Sequence, residues 1–170
     1  MKKMLAFILA FLSGDAFSQS VAEGIEKDEI VHMEDEAPAM RKAFEVARAS
    51  LDDFLKLAKS PPDHFSSFAL KVAVSQAGNT EYFWVTDFKQ KGAAQFTGEI
   101  NNEPRLVKTV KLGQRYSFTR TQIVDWIYMD EAEQKMMGNF TMCALLTQES
   151  KEEADHIREQ YKLDCSKIGE

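Results

Sequence analysis

Between Ser66 and Gln90 the chain alternates apolar and polar residues on either side of a Gly78-Asn79 pair. Phe68, Leu70, Val72 and Val74 interleave with Ala69, Lys71, Ala73 and Ser75, the period of two that marks a strand buried on one face. Gly78-Asn79 supplies the turn. The return, Glu81 to Gln90, carries Tyr82, Trp84 and Phe88 on one side and Phe83 and Val85 on the other. Aromatics on both faces predict a central strand covered twice. A two-stranded hairpin is not stable alone in water, so the rest of the chain must supply the cover.

Downstream, Gly92 breaks the return strand, Gln95 to Ile100 reads as a third strand, and Leu106 to Val110 as a short fourth. Gly113 opens a fifth, Arg115 to Phe118. Ile123-X-Asp125-Trp126-X-Tyr128 then has the spacing of another strand, Asp130 to Met137 reads as a loop or single helical turn, and Gly138-Asn139 has the residues of a tight hairpin turn. Phe140 to Leu146, with Cys143 inside it, reads as the last strand.

The cover comes from two helices. From Asp35 to Lys59 the residues Met40, Ala43, Phe44, Ala47, Leu51, Phe54, Leu55 and Ala58 recur at helical spacing, Pro38 suits a first turn, and Pro61-Pro62 stops the run. Glu149 to Leu163 repeats the pattern with Ala154, Ile157 and Tyr161. The fold class is therefore α+β: a curved, mainly antiparallel sheet of five to six strands with an N-terminal amphipathic helix and a C-terminal helix. At 170 residues the chain has room for one real core.

The ends differ from this body. Lys2 and Lys3, the apolar Met4 to Leu12 and the small-X-small Ala16-Phe17-Ser18 have the layout of a secretory signal peptide over residues 1–18, too short to span a bilayer. Residues 19–36 follow as an acidic linker in which Glu23 to Glu36 holds seven carboxylates against Lys27, and 37–165 form the single folded domain. The expectation is a periplasmic or secreted protein that is not membrane-spanning. A formal charge of −6 argues against nucleic acid as a partner. Cys143 and Cys165, an even pair in an oxidising compartment, read as one disulfide.

Signatures of chemistry are sparse. There is no His-Glu-X-X-His, Gly-X-Ser-X-Gly or phosphate-cradling glycine loop, and His32, His64 and His156 are scattered, so neither a metal site nor a cofactor is expected. Asp125 beside Trp126 is the catalytic candidate: a carboxylate against an indole can have its pKa raised and act as a general acid. Its other reading is a structural acceptor for backbone N–H groups near Trp126. Arg105, Lys108 and Lys111, with Arg115, form the chain's basic cluster, either a patch for an acidic partner or lysines that guard a sheet edge. With Trp84, Trp126 and Tyr128 they make up a candidate binding surface, since amphipathic aromatics suit such surfaces.

Five short motifs in order, Glu81-Tyr82-Phe83-Trp84-Val85, Gly98-X-Ile100-X-Asn102-X-Pro104, Gly113 with Phe118, Ile123-X-Asp125-Trp126-X-Tyr128 and Gly138-Asn139-X-Thr141, resemble the YegJ-like bacterial family, a domain of unknown function (DUF2314). The resemblance covers roughly Met40 to Leu146. It implies a compact domain, exported in some members, and carries no activity with it. Tyr82 stands where the resemblance would place a histidine. The first functional expectation is a non-enzymatic periplasmic binding or protective, immunity-like module that holds a periplasmic or envelope protein. A cell-envelope hydrolase using Asp125 and a structural envelope accessory protein are the alternatives.

Overall fold

The structure is a computed structural model that describes residues 37–168. The signal peptide and acidic linker read from the sequence lie outside the described residues. The element order is α1 (Pro38–Ala49), α2 (Leu51–Lys59), β1 (Phe65–Gln76), β2 (Asn79–Lys91), β3 (Gln95–Ile100), β4 (Arg115–Thr119), a 3₁₀ turn (Arg120–Gln122), β5 (Ile123–Asp130), β6 (Lys135–Gly138), α3 (Phe140–Leu146) and α4 (Lys151–Gln160). The six strands form one sheet in the order β4-β3-β2-β1-β5-β6, and every pairing is antiparallel.

The long hairpin sits at the centre. Leu70, Val72 and Val74 of β1 stand opposite Val85, Phe83 and Glu81 of β2, and the five apolar side chains are buried. The residues between them, Lys71, Ala73, Tyr82 and Trp84, are half-buried. Phe96 and Phe118 extend the apolar face through β3 and β4, stacked with ring centroids 5.6 Å apart.

The sheet has to curl. β4 is four strand positions from β5, about 19 Å at the usual ~4.8 Å spacing, yet Thr119 and Ile123 are joined through the three residues of the 3₁₀ turn, a reach of at most ~14 Å. The turn touches both sides of the gap it closes: Arg120 N–H donates to the Ala94 carbonyl at 2.9 Å, and Gln122 Nε2 to the Ala73 carbonyl at 3.1 Å.

α1 and α2 pack on this sheet. The Phe54 ring lies 4.9 Å from that of Trp126, 5.8 Å from Phe68 and 5.9 Å from Phe88. The single helix expected over 35–59 is broken at Ser50, whose hydroxyl donates to the Val46 carbonyl at 2.7 Å. A serine that bonds back to its own helix competes with the backbone ladder. Here the same hydroxyl also lies 3.2 Å from the Trp126 indole nitrogen.

Three expectations about the second half of the chain are corrected. Leu106–Val110 is irregular, not a strand; Val107 and Val110 turn inward with three-residue spacing, and the backbone bonds to a side chain instead of a neighbouring strand. Lys135–Gly138, expected within a loop or single helical turn, is a strand paired with β5. Phe140–Leu146, expected as the last strand, is helix α3, and Gly138-Asn139 is the strand-to-helix corner before it, with Asn139 left-handed at φ 54°. A run that is apolar but for Thr141 looks alike to both periods. Cys143 on α3 forms a disulfide with Cys165, fastening the segment after α4 to α3.

Candidate functional site

Asp125 and Lys71 are cross-strand partners on β5 and β1, and Lys71 is also the partner of Trp84 on β2. Directly paired residues share a side of the sheet, so three residues distant in sequence meet at one point. Asp125 is fully buried. Its Oδ1 accepts the Trp126 backbone N–H at 2.8 Å. Its Oδ2 accepts both the backbone N–H and the hydroxyl of Thr141, each at 2.7 Å. Lys71 Nζ donates to that same hydroxyl at 2.8 Å and lies 4.8 Å from the centre of the Trp84 ring. The Thr141 hydroxyl thus donates once and accepts once, as a hydroxyl can.

Burial pushes the Asp125 carboxyl above the usual carboxylate range, against the opposing pull of Lys71 and of the Thr141 and Trp126 donors. Burial likewise brings the Lys71 ammonium below its ordinary value, and Asp125 opposes that shift. The constellation joins β1, β5 and the first turn of α3. Both oxygens of Asp125 are turned to internal donors.

The second locus is the loop 101–114 between β3 and β4. Glu81, only 7% exposed, accepts the backbone N–H groups of Arg105 at 2.8 Å and of Leu106 and Val107 at 2.9 Å each. Asn102 Oδ1 accepts the Trp84 N–H at 2.8 Å, and Asn101 N–H donates to the Trp84 carbonyl at 2.8 Å. The loop is thereby held along β2. Val107 and Val110 anchor it in the core, while Leu106 and Leu112 are 46% and 49% exposed, the large hydrophobics that stand out among the described residues. Arg105, Lys108, Lys111 and Arg115 are exposed around them in sequence. Lys108 Nζ donates to the Arg105 carbonyl at 2.6 Å, and Arg115 Nη1 to the Asp87 carbonyl at 3.0 Å.

The binding surface expected from sequence is therefore divided. Trp126 is 6% exposed and belongs to the core: its indole nitrogen donates to the Ala47 carbonyl at 3.2 Å, and its ring meets Phe140 edge-on at 5.2 Å. Its placement on a surface is corrected. Tyr128 is half-buried in an aromatic group with Phe68 at 5.3 Å and Phe65 at 5.0 Å, and burial, with Asp130 nearby, raises its phenol pKa. Trp84 is half-buried under Lys71. Of the five, Arg105 and Lys108 are exposed. Sequence reasoning missed Lys71, Glu81, Leu106 and Leu112. The two leucines carried a signal, each adjacent to a basic residue within a Pro-to-Gly segment; Glu81 was visible only as the head of a family motif, and Lys71 looked like an ordinary strand residue. Among the described residues no three of His, Cys, Asp and Glu come together as a metal site, and no helix is long and apolar enough to cross a membrane.

An open six-stranded antiparallel sheet with helices before and after it, a buried Lys-Asp clamp and a pinned basic loop define a small α+β module. The chain belongs to the family described as "Uncharacterized protein conserved in bacteria (DUF2314)", whose model matches residues 37–165. It is 33% identical over 160 residues to the "Uncharacterized protein YegJ" of Escherichia coli (strain K12), covering 93% of this chain and 97% of that protein. No solved structure matches it. Several of the side chains that carried the resemblance are those just described: Glu81 and Asn102 hold the loop, and Asp125 and Thr141 form the clamp. Glycine is required at Gly98, where a Cβ would run into the Val85 side chain and the Thr86 carbonyl, and at Gly138, φ 84°, where it would meet the Trp126 carbonyl and ring.

Proposed function

We propose that the protein is an exported, non-enzymatic binding or protective module that holds an acidic periplasmic or envelope protein through the loop 101–114. The observation that carries this reading is the pairing of Leu106 and Leu112, the exposed large hydrophobics, with Arg105, Lys108 and Lys111 on one loop whose backbone Glu81 fixes. Apolar side chains in a basic setting suit a partner with an acidic rim and an apolar centre. A loop already held in shape loses less freedom on binding. In this layout residues 1–18 direct export, 19–36 are an acidic linker, and the disulfide suits an oxidising compartment. The burial of Asp125 and the engagement of both its oxygens favour this reading over the hydrolase alternative.

The test is quantitative capture. Tagged mature protein is cross-linked mildly in its own periplasm, and the captured partner is compared between wild type, the Leu106→Asp/Lys108→Glu double variant and an Arg41→Glu/Lys42→Glu control on α1. The expected result is one stoichiometric acidic partner, lost with the loop variant and kept with the control. Equal capture by all three proteins, or no partner above background, refutes the loop reading. Mass spectrometry of the exported protein should show an N-terminus at Gln19.

A further inference from the structure

Glu23 to Glu36 holds seven carboxylates against Lys27, a net of six negative charges, which equals the formal −6 of the whole chain. The rest of the sequence is therefore balanced, and one segment carries the negative charge. Ile30, Val31 and Met33 lie within it, between Glu29 and Glu34. The loop 101–114 has the opposite charge and the same mixture. Leu106 and Leu112 are 46% and 49% exposed, and the exposed Lys108 and Lys111 stand between them in sequence. The loop backbone is held from two strands: Glu81 of β2 accepts the N–H groups of Arg105 to Val107, and Gln76 Oε1 at the end of β1 accepts that of Lys108 at 2.6 Å.

The two are within reach of each other. The acidic segment joins the domain at Ala37, directly before α1. The Phe44 ring of α1 lies 6.2 Å from that of Tyr82, whose carbonyl accepts Asn102 Nδ2 of the loop at 3.5 Å. The first half of α1 thus runs beside the strand that holds the loop. Ala37 to Phe44 is about 10 Å of helix, and residues 23–36 can reach up to about 48 Å. We propose that residues 23–36 dock in cis on the loop 101–114, with Ile30, Val31 and Met33 against Leu106 and Leu112 and the flanking carboxylates toward Lys108 and Lys111. Opposite charges steer such a contact and set its register. Tethering gives the segment an effective concentration on the order of millimolar, which favours it over the same segment of a second copy. The docking stands on these observations alone; its consequence, that the segment competes with an acidic protein partner, rests on the loop being the partner surface.

The experiment compares the chain from Gln19 onward with a variant carrying Glu29→Gln, Ile30→Ser, Val31→Ser and Glu34→Gln, all outside residues 37–165. In wild type, methyl NOEs are expected from Ile30, Val31 or Met33 to Leu106 or Leu112. The variant should shift the amides of residues 105–112 and leave those of residues 70–74 unmoved. Both signals should persist on dilution and weaken as salt screens the charges. Absent NOEs with identical loop amides overturn the proposal, and NOEs that fade on dilution overturn its cis form by assigning the contact to two copies. Partner capture then separates this inference from the loop reading. The variant should capture several-fold more partner than wild type. NOEs in wild type, with capture that neither this variant nor Leu106→Asp/Lys108→Glu alters, would uphold the docking and refute the loop as the partner surface. Absent NOEs, with capture still lost in Leu106→Asp/Lys108→Glu, would refute the docking and uphold the loop reading.

Discussion

Asp125 and Lys71 are cross-strand partners whose charges depend on each other. Each resists ionisation because burial disfavours it, and each is the other's main compensation. Removing one member leaves the other charged, poorly solvated and alone, whereas removing both leaves nothing to compensate. Asp125→Ala also strips acceptors from the Thr141 and Trp126 N–H groups. It should cost about 3 kcal/mol, the lower end for a broken buried pair because Lys71 is half-buried. Lys71→Met combined with Asp125→Asn should recover at least half of that loss. Urea unfolding of the two variants decides the matter, and a double variant no better than Asp125→Ala would show the pair itself to be worth more than its desolvation. The sequence made Asp125 visible through its neighbour Trp126 and gave no hint of Lys71, because strand register, not spacing, brings residues 71 and 125 together.

Among the elements, legibility followed periodicity. β1 alternates cleanly, β2 is marked by its β-formers between turn residues, and β1, β2 and β3 could be read within a few residues of their ends. α3 could not be read, since nearly every one of its seven residues is buried and the run carries no polar face to set a period. β6 was hidden by its shortness, four residues that follow a charged stretch, paired at the sheet edge with β5 and joined by one bridge to Leu163. The end of the chain is tied down twice there, by the disulfide and by Lys135 Nζ, 2.9 Å from Asp164 Oδ2. Closing 22 residues with a disulfide stabilises by roughly 3 kcal/mol on the chain-entropy view, so Cys143→Ala/Cys165→Ala should lose about that much in urea unfolding. The ion pair should show itself in acid. Its hydrogen bond to Lys135, with help from Ser166, holds the Asp164 carboxyl at about 2, below its ordinary 3.8. A depressed acid stabilises above its unfolded pKa and loses that contribution as pH falls through the folded value. Wild type should therefore exceed Asp164→Asn by a modest margin, under about 1 kcal/mol for an exposed pair, at neutral pH. That margin should shrink between pH 3.8 and about 2. A margin that is the same at pH 7 and pH 2 would contradict the assignment.

At the scale of the whole molecule, the sheet and the loop 101–114 are one mechanical unit, and Glu81 is the joint. Its carboxylate leaves β2 and takes three successive backbone donors of the loop, which otherwise would have to find water or a strand. Glutamine is nearly the same shape, but it has one acceptor oxygen in place of two and no charge, so at least one of those N–H groups loses its partner. Hydrogen bonds to a charged group contribute about 1.5 to 3 kcal/mol each. Glu81→Gln should therefore cost about 2 kcal/mol in stability and should raise amide exchange selectively at Arg105, Leu106 and Val107. If the loop is the partner surface, its loosening must also be felt in binding, because the freedom the loop gains has to be lost again on association. Glu81 is only 7% exposed and presents little surface to a partner, so a binding loss here reports order and not contact. The expected pattern is several-fold weaker capture by Glu81→Gln, recovered by raising the protein concentration, against near-complete loss by Leu106→Asp/Lys108→Glu. Weakened capture without faster exchange at 105–107 would place the effect elsewhere. Faster exchange with unchanged capture would show that the partner does not use this loop.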